Sequence, residues 1–80
     1  MTIGFTIIMS TGQTYINEDI YVRAQTGQYA YSEVLGEMSY PPPIYSGDQF
    51  NGEIVLNYYY NPVYIVVYVG ESIIDFKIVS

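Results

Sequence analysis

From Val63 to Val69 the chain reads Val-Tyr-Ile-Val-Val-Tyr-Val, an uncharged run in which every residue is β-branched or aromatic. Such side chains lose rotamer freedom in a helix and pack well on a pleated surface. A short run of this kind is a strand. Val63, Ile65, Val67 and Val69 then line one face, and Tyr64, Val66 and Tyr68 the other. A strand that is apolar on both faces must be covered on both. With only 80 residues at hand, the pattern points to a second copy or another protein as part of that cover. The run is also far shorter than the ~20 apolar residues that span a bilayer as a helix, so no membrane span is expected.

Period-two alternation, the mark of strands buried on one side, recurs along the chain. Ile3, Phe5, Ile7 and Met9 fall together, with Gly4 and Thr6 opposite. Residues 10–13 read as a tight turn. A strand opens at Thr14-Tyr15-Ile16, is disturbed at 17–19, and resumes with Ile20, Val22 and Ala24 inward and Tyr21 and Arg23 outward. Thr26-Gly27 turns the chain. Residues 28–38 support two readings. Tyr31, Val34, Leu35 and Met38 follow the helical i, i+3, i+4, i+7 template, whereas Tyr29-Ala30-Tyr31 opens a strand that ends near Leu35. Gly36 counts against the helix by about 1 kcal/mol relative to alanine.

Three prolines at 41–43 lock φ and remove backbone donors, so this stretch reads as polyproline II running into a turn at 46–48. Asn51-Gly52 is a favoured hairpin pair. The strand after it, Glu53 to Tyr60, sets Ile54, Leu56, Tyr58 and Tyr60 on one face. Asn61-Pro62 and Gly70-Glu71-Ser72 are turns. Ile73 to Val79 closes the chain, with Ile74, Phe76 and Ile78 inward and Asp75 and Lys77 outward. The expected fold is all-β, one domain over 1–80: a small antiparallel barrel or two-layer sandwich of five to six short strands, with one short helix near 28–38 if the helical reading wins. No family motif is matched by these residues.

Composition limits what such a domain can do. Charged residues make up 12% of the chain and aromatics 18%, with 11 tyrosines; eight carboxylates against two cations leave a net charge of −6. Cysteine and histidine are absent, which removes disulfides, Cys/His metal sites, a thiol nucleophile and an imidazole base. No cofactor and no enzyme activity are expected. Arg23 and Lys77 cannot neutralise a run of phosphates, so direct nucleic-acid binding is disfavoured. Residues 1–9 lack the charged start and small-residue cleavage site of a signal peptide. The expectation is a chain soluble as made, or carried to its destination by assembly.

Two features carry candidate chemistry. Pro42-Pro43-Ile44-Tyr45, after Tyr40, matches the Pro-Pro-X-Tyr ligand of WW domains, in which a preformed polyproline segment docks between aromatic rings. The plainer reading is a stiff loop packed on the chain's own tyrosines. Tyr58, Tyr59, Tyr60, Tyr64 and Tyr68 form a second cluster, with Val66 among them. Tyrosine joins a large apolar ring to a polar tip and suits surfaces that later become buried. Cross-strand packing or a protein interface is favoured over a sugar platform edged by Asn57 and Asn61. The carboxylates, in loose pairs such as Glu33/Glu37 and Glu71/Asp75, read as solvated turn charges.

Three functions from different classes fit such a chain. The first is a structural or assembly protein that packs with copies of itself or with larger partners, as in a virus particle or surface layer. The second is a small acidic inhibitor of the phage type, docking on a host defence or DNA-processing protein. The third is a peptide- or sugar-binding module.

Overall fold

The computed structural model describes residues 1–8, 20–39 and 49–79. They form six strands: β1 (Thr2–Ile8), β2 (Ile20–Gln25), β3 (Val34–Ser39), β4 (Gln49–Val55), β5 (Val63–Val69) and β6 (Ser72–Val79). β1 and β4 pair antiparallel, and the other four make an antiparallel sheet in the order β3-β2-β5-β6. The fold is an all-β sandwich. The turn expected at 10–13, the strand start at 14–16, the irregularity at 17–19 and the proline stretch with its turn at 46–48 lie outside the described residues.

Alternation builds the core. Ile3 and Phe5 of β1, with Ile54 and Leu56 from and just beyond β4, face Val22 and Ala24 of β2, Leu35 of β3, and Val63, Ile65 and Val67 of β5. Burial of this kind stabilises by roughly 25 cal/mol per Å² of apolar surface. The sheets also meet along two seams. At one, the Asn57 amide donates to the Leu35 carbonyl at 2.9 Å, just past the point where Leu56 N donates to Met1 O at 2.7 Å and closes the β1–β4 ladder. At the other, Lys77 Nζ donates to the Thr6 carbonyl at 3.0 Å, tying β6 to β1.

Two bulges explain where the simple reading fails. In β3 the register slips, with Ala24 opposite Gly36 but Gln25 opposite Val34. The extra residue, Leu35, is fully buried. Leu35 and Met38 both serve the core, and their spacing of three imitates a helix. There is no helix among the described residues; 28–33 is a turn and β3 follows it. In β6 the slip lies opposite Val67 and Tyr68, leaving Ile74 as the extra residue. Ile74 still packs on the core. Beyond the bulge the faces are exchanged relative to expectation. Phe76 pairs with Val66 and Ile78 with Tyr64 on the outer face, while Lys77 pairs with Ile65 on the inner side.

The Asn51-Gly52 pair makes no hairpin. It sits inside β4, where Phe5 lies opposite Gly52 and Thr6 Oγ1 donates to Asn51 Oδ1 at 2.7 Å. A Cβ on Gly52 would lie 2.7 Å from Phe5 Cζ, so the glycine makes room for that ring. β4 ends at Val55, short of the expected Tyr60: Leu56 N still bonds Met1 beside β1, and Asn57 then turns to Leu35 of β3.

Gly36 marks the same seam. A Cβ there would press on the Val55 carbonyl oxygen and stand 2.7 Å from Ile54 Cγ2. Because backbone cannot move aside as cheaply as a ring edge, Gly36→Ala is expected to cost about 2–3 kcal/mol, and Gly52→Ala nearer 1 kcal/mol. Urea unfolding at unchanged m-value measures both. A smaller loss at Gly36 than at Gly52 contradicts the close approach of β3 to β4.

Candidate interaction surface

The outer face of the four-stranded sheet carries Tyr21, Arg23 and Gln25 from β2 and Tyr64, Val66 and Tyr68 from β5. The chain covers much of it unaided. Val66 is 0% exposed and Tyr68 1%. The Tyr68 ring stacks on Tyr21, with centroids 4.8 Å apart and planes 7° off parallel. The Arg23 guanidinium lies over both rings, 4.9 Å from the Tyr21 centroid and 5.1 Å from that of Tyr68. Its Nε donates to Glu37 Oε2 at 2.8 Å. That hydrogen bond raises the arginine pKa above its ordinary value, against the smaller opposing effect of desolvation. The pair is partly solvent-exposed and contributes about 1 kcal/mol or less; its larger role is to hold the guanidinium over the rings.

Tyr68 leans along the sheet until its hydroxyl reaches Gln25 Oε1 at 2.5 Å. Gln25 is itself 0% exposed. Its Nε2 donates to the Gly27 carbonyl at 3.1 Å and to the Tyr29 carbonyl at 2.9 Å. A buried amide is costly unless it is bonded in this way. The same bonds pin the loop after β2. Within it, Ser32 N donates to Tyr29 O at 3.0 Å, Thr26 N to Glu33 O at 3.0 Å, and Glu33 N to Thr26 Oγ1 at 3.2 Å.

That loop ends in exposed rings. Tyr29 and Tyr31 stack 5.2 Å apart and 5° off parallel, with Tyr31 84% exposed. The 56–62 loop, held to β3 by Asn57, presents Tyr58, Tyr59 and Tyr60. Tyr58 meets Tyr60 edge-on at 6.4 Å, and Tyr59 is 69% exposed. Gln25 pairs with Tyr64, so the loop leaving β2 and the loop entering β5 lie at one end of the sandwich. The opposite end holds Ile8, Ile20, Ser39 and Gln49, where β1 and β3 end and β2 and β4 begin. Five exposed tyrosines thus share one end. Glu33 is the sole charged side chain in 26–33 and 56–62.

The residues singled out in the sequence separate accordingly. Tyr58, Tyr59 and Tyr60 are exposed, Tyr64 is half-buried against Phe76 on the outer face, and Val66 and Tyr68 are covered by the chain itself. Tyr40, Pro42, Pro43 and Tyr45 lie outside the described residues. Sequence reasoning missed Tyr29 and Tyr31, which a Gly-Gln-Tyr-Ala-Tyr-Ser segment rich in turn residues signals once the helical template is set aside. It also missed the outer-face trio Ile73, Phe76 and Ile78. Among the described residues no group of carboxylates could hold a metal ion, and no helix is long and apolar enough to cross a membrane. Comparison with protein-family models, with curated proteins and with solved structures gave no match.

Tyr68→Phe strands the Gln25 carbonyl oxygen and is expected to cost about 1–2 kcal/mol, and Gln25→Leu, which also frees two loop carbonyls, about 2–3 kcal/mol. The double variant removes both stranded atoms, so its loss should fall below the sum of the two singles. Additive losses in urea titrations contradict a direct bond between them.

Proposed function

We propose that this chain is a non-enzymatic interaction domain that docks its tyrosine end on a larger protein. The observation that carries the reading is the convergence of Tyr29, Tyr31, Tyr58, Tyr59 and Tyr60, all exposed, on two hydrogen-bonded loops at one end of a rigid sheet. Tyr, Ser, Gly and Asn dominate these loops. That mixture serves binding loops elsewhere, since tyrosine gives large contact area at low entropic cost and small polar residues adapt around it. Loops already ordered before contact lose less on binding. A chain without histidine or cysteine offers little material for catalysis. The same contact suits a component of a particle or surface layer and an acidic inhibitor seated on a host enzyme.

A second reading, self-association, has its own support. Ile73, Phe76 and Ile78 stand exposed on the outer face of β6, Phe76 at 44% and Ile78 at 54%. The β5 strand no longer argues for it, because the chain covers both β5 faces. The β6 edge also carries a bulge and the inward-directed Lys77, features that blunt edge-to-edge pairing. A face-to-face dimer through Phe76 is the form that remains.

Tyr31→Ala and Tyr59→Ala alter exposed rings and are each expected to change stability by less than about 0.5 kcal/mol. Both should abolish capture of the partner that wild-type protein retains from its source cells, with unchanged circular dichroism. Capture that survives both substitutions contradicts docking through this end. Sedimentation of wild type against Phe76→Ser decides the second reading: a dimer lost in the variant supports it, and a monomer in both excludes it.

A further inference from the structure

We propose that the surface recognised by the tyrosine end is a cationic protein segment that presents arginine. The inference rests on the docking reading above and names the partner's chemistry. The chain already contains one complete arginine seat: the near-parallel rings of Tyr21 and Tyr68, the Arg23 guanidinium about 5 Å over both, and Glu37 fixing its Nε. The tyrosine end repeats the parts without the cation. Tyr29 and Tyr31 stack 5° off parallel, Tyr58 and Tyr60 meet edge-on, and Glu33 is an exposed carboxylate beside them in sequence. No lysine or arginine lies in either loop.

A second copy does not supply that cation. The chain has two cationic side chains. Arg23 is held by Glu37 and Lys77 is bonded to the Thr6 carbonyl. Two copies would also bring together net charges of −6 each, which long-range electrostatics opposes. The same field attracts a basic partner and speeds its encounter. Arginine fits better than lysine. Its guanidinium is planar, weakly hydrated and able to stack on a ring while its edge donates to a carboxylate, a phenol oxygen or the side-chain oxygens of Asn57 and Asn61. A sugar ligand would use the rings and amides but not the charge, so it predicts binding without salt dependence.

The test uses the intact chain with a short oligoarginine peptide, a length-matched oligolysine peptide and a neutral Gly-Ser peptide, followed by calorimetry and by backbone amide resonances. Oligoarginine should bind, shift residues 27–33 and 57–61, and weaken as salt is raised. Oligolysine should bind about tenfold more weakly and the neutral peptide not at all. Tyr31→Ala and Tyr59→Ala should each lower the oligoarginine affinity about threefold to tenfold, and Glu33→Gln about twofold to threefold, in folded protein. Equal affinity for the two basic peptides, or binding indifferent to both tyrosines, reduces the effect to bulk charge and overturns the proposal. Failure of oligoarginine to bind, while Tyr31→Ala and Tyr59→Ala still abolish capture of the cellular partner, overturns the cationic partner and leaves the docking reading standing. Capture indifferent to the tyrosines overturns both.

Discussion

A buried side-chain amide ties the outer face of the four-stranded sheet to the loop that follows β2. Gln25 sits at the end of β2 with no solvent contact, takes the Tyr68 hydroxyl on its oxygen and gives both amide protons to loop carbonyls. Each bond is modest in net terms, but an unmet partner in such a place costs the full desolvation of the group. The arrangement therefore acts as a unit. It lays Tyr68 flat along the outer face and fixes the loop that carries Tyr29 and Tyr31. Among the described residues no buried side-chain nitrogen or oxygen is left without a partner.

The same bond helps so short a chain cover a strand that is apolar on both sides. The inner face of β5 is closed by the two-stranded sheet and β3 through Leu35, Ile54, Leu56 and Phe5. The outer face is closed by residues that look polar in the sequence: Tyr68 is bonded to Gln25, and the Arg23 guanidinium, held by Glu37, lies over the Tyr21 and Tyr68 rings. The covering that the sequence pattern assigned to a neighbour comes from within.

The all-β architecture was legible because period two persists through β1, β2 and β5, and β5 was bounded correctly by its β-branched run and flanking turns. β3 and β6 were less legible because each contains a bulge. A bulge puts two successive residues on one side, Leu35 with Gly36 and Ile74 with Asp75, and a reading by strict alternation then assigns the wrong side to the residues beyond it. Asn51-Gly52 misled for a different reason. Its glycine serves the Phe5 ring rather than a turn, a demand set by a residue far away in sequence. The tyrosine surface was half visible. Tyr58-Tyr59-Tyr60 announces itself, but Tyr68 and Tyr59 are the same residue type in opposite roles, and only the long-range partner Gln25 separates them.

Support beneath the exposed rings links fold to function: the loop that offers Tyr29 and Tyr31 is anchored by the Gln25 side chain that completes the outer face, and the loop of Tyr58, Tyr59 and Tyr60 by the Asn57 backbone on β3. The most direct test is hydrogen exchange of the Gln25 side-chain amide in the intact protein, followed by NMR beside that of Gln28 in the loop. The Gln25 amide protons should be protected to the level of the β5 backbone amides, opening only with global unfolding. Exchange of Gln25 as fast as Gln28 would show the amide open to water, and the anchoring of the Tyr29–Tyr31 loop would be lost with it.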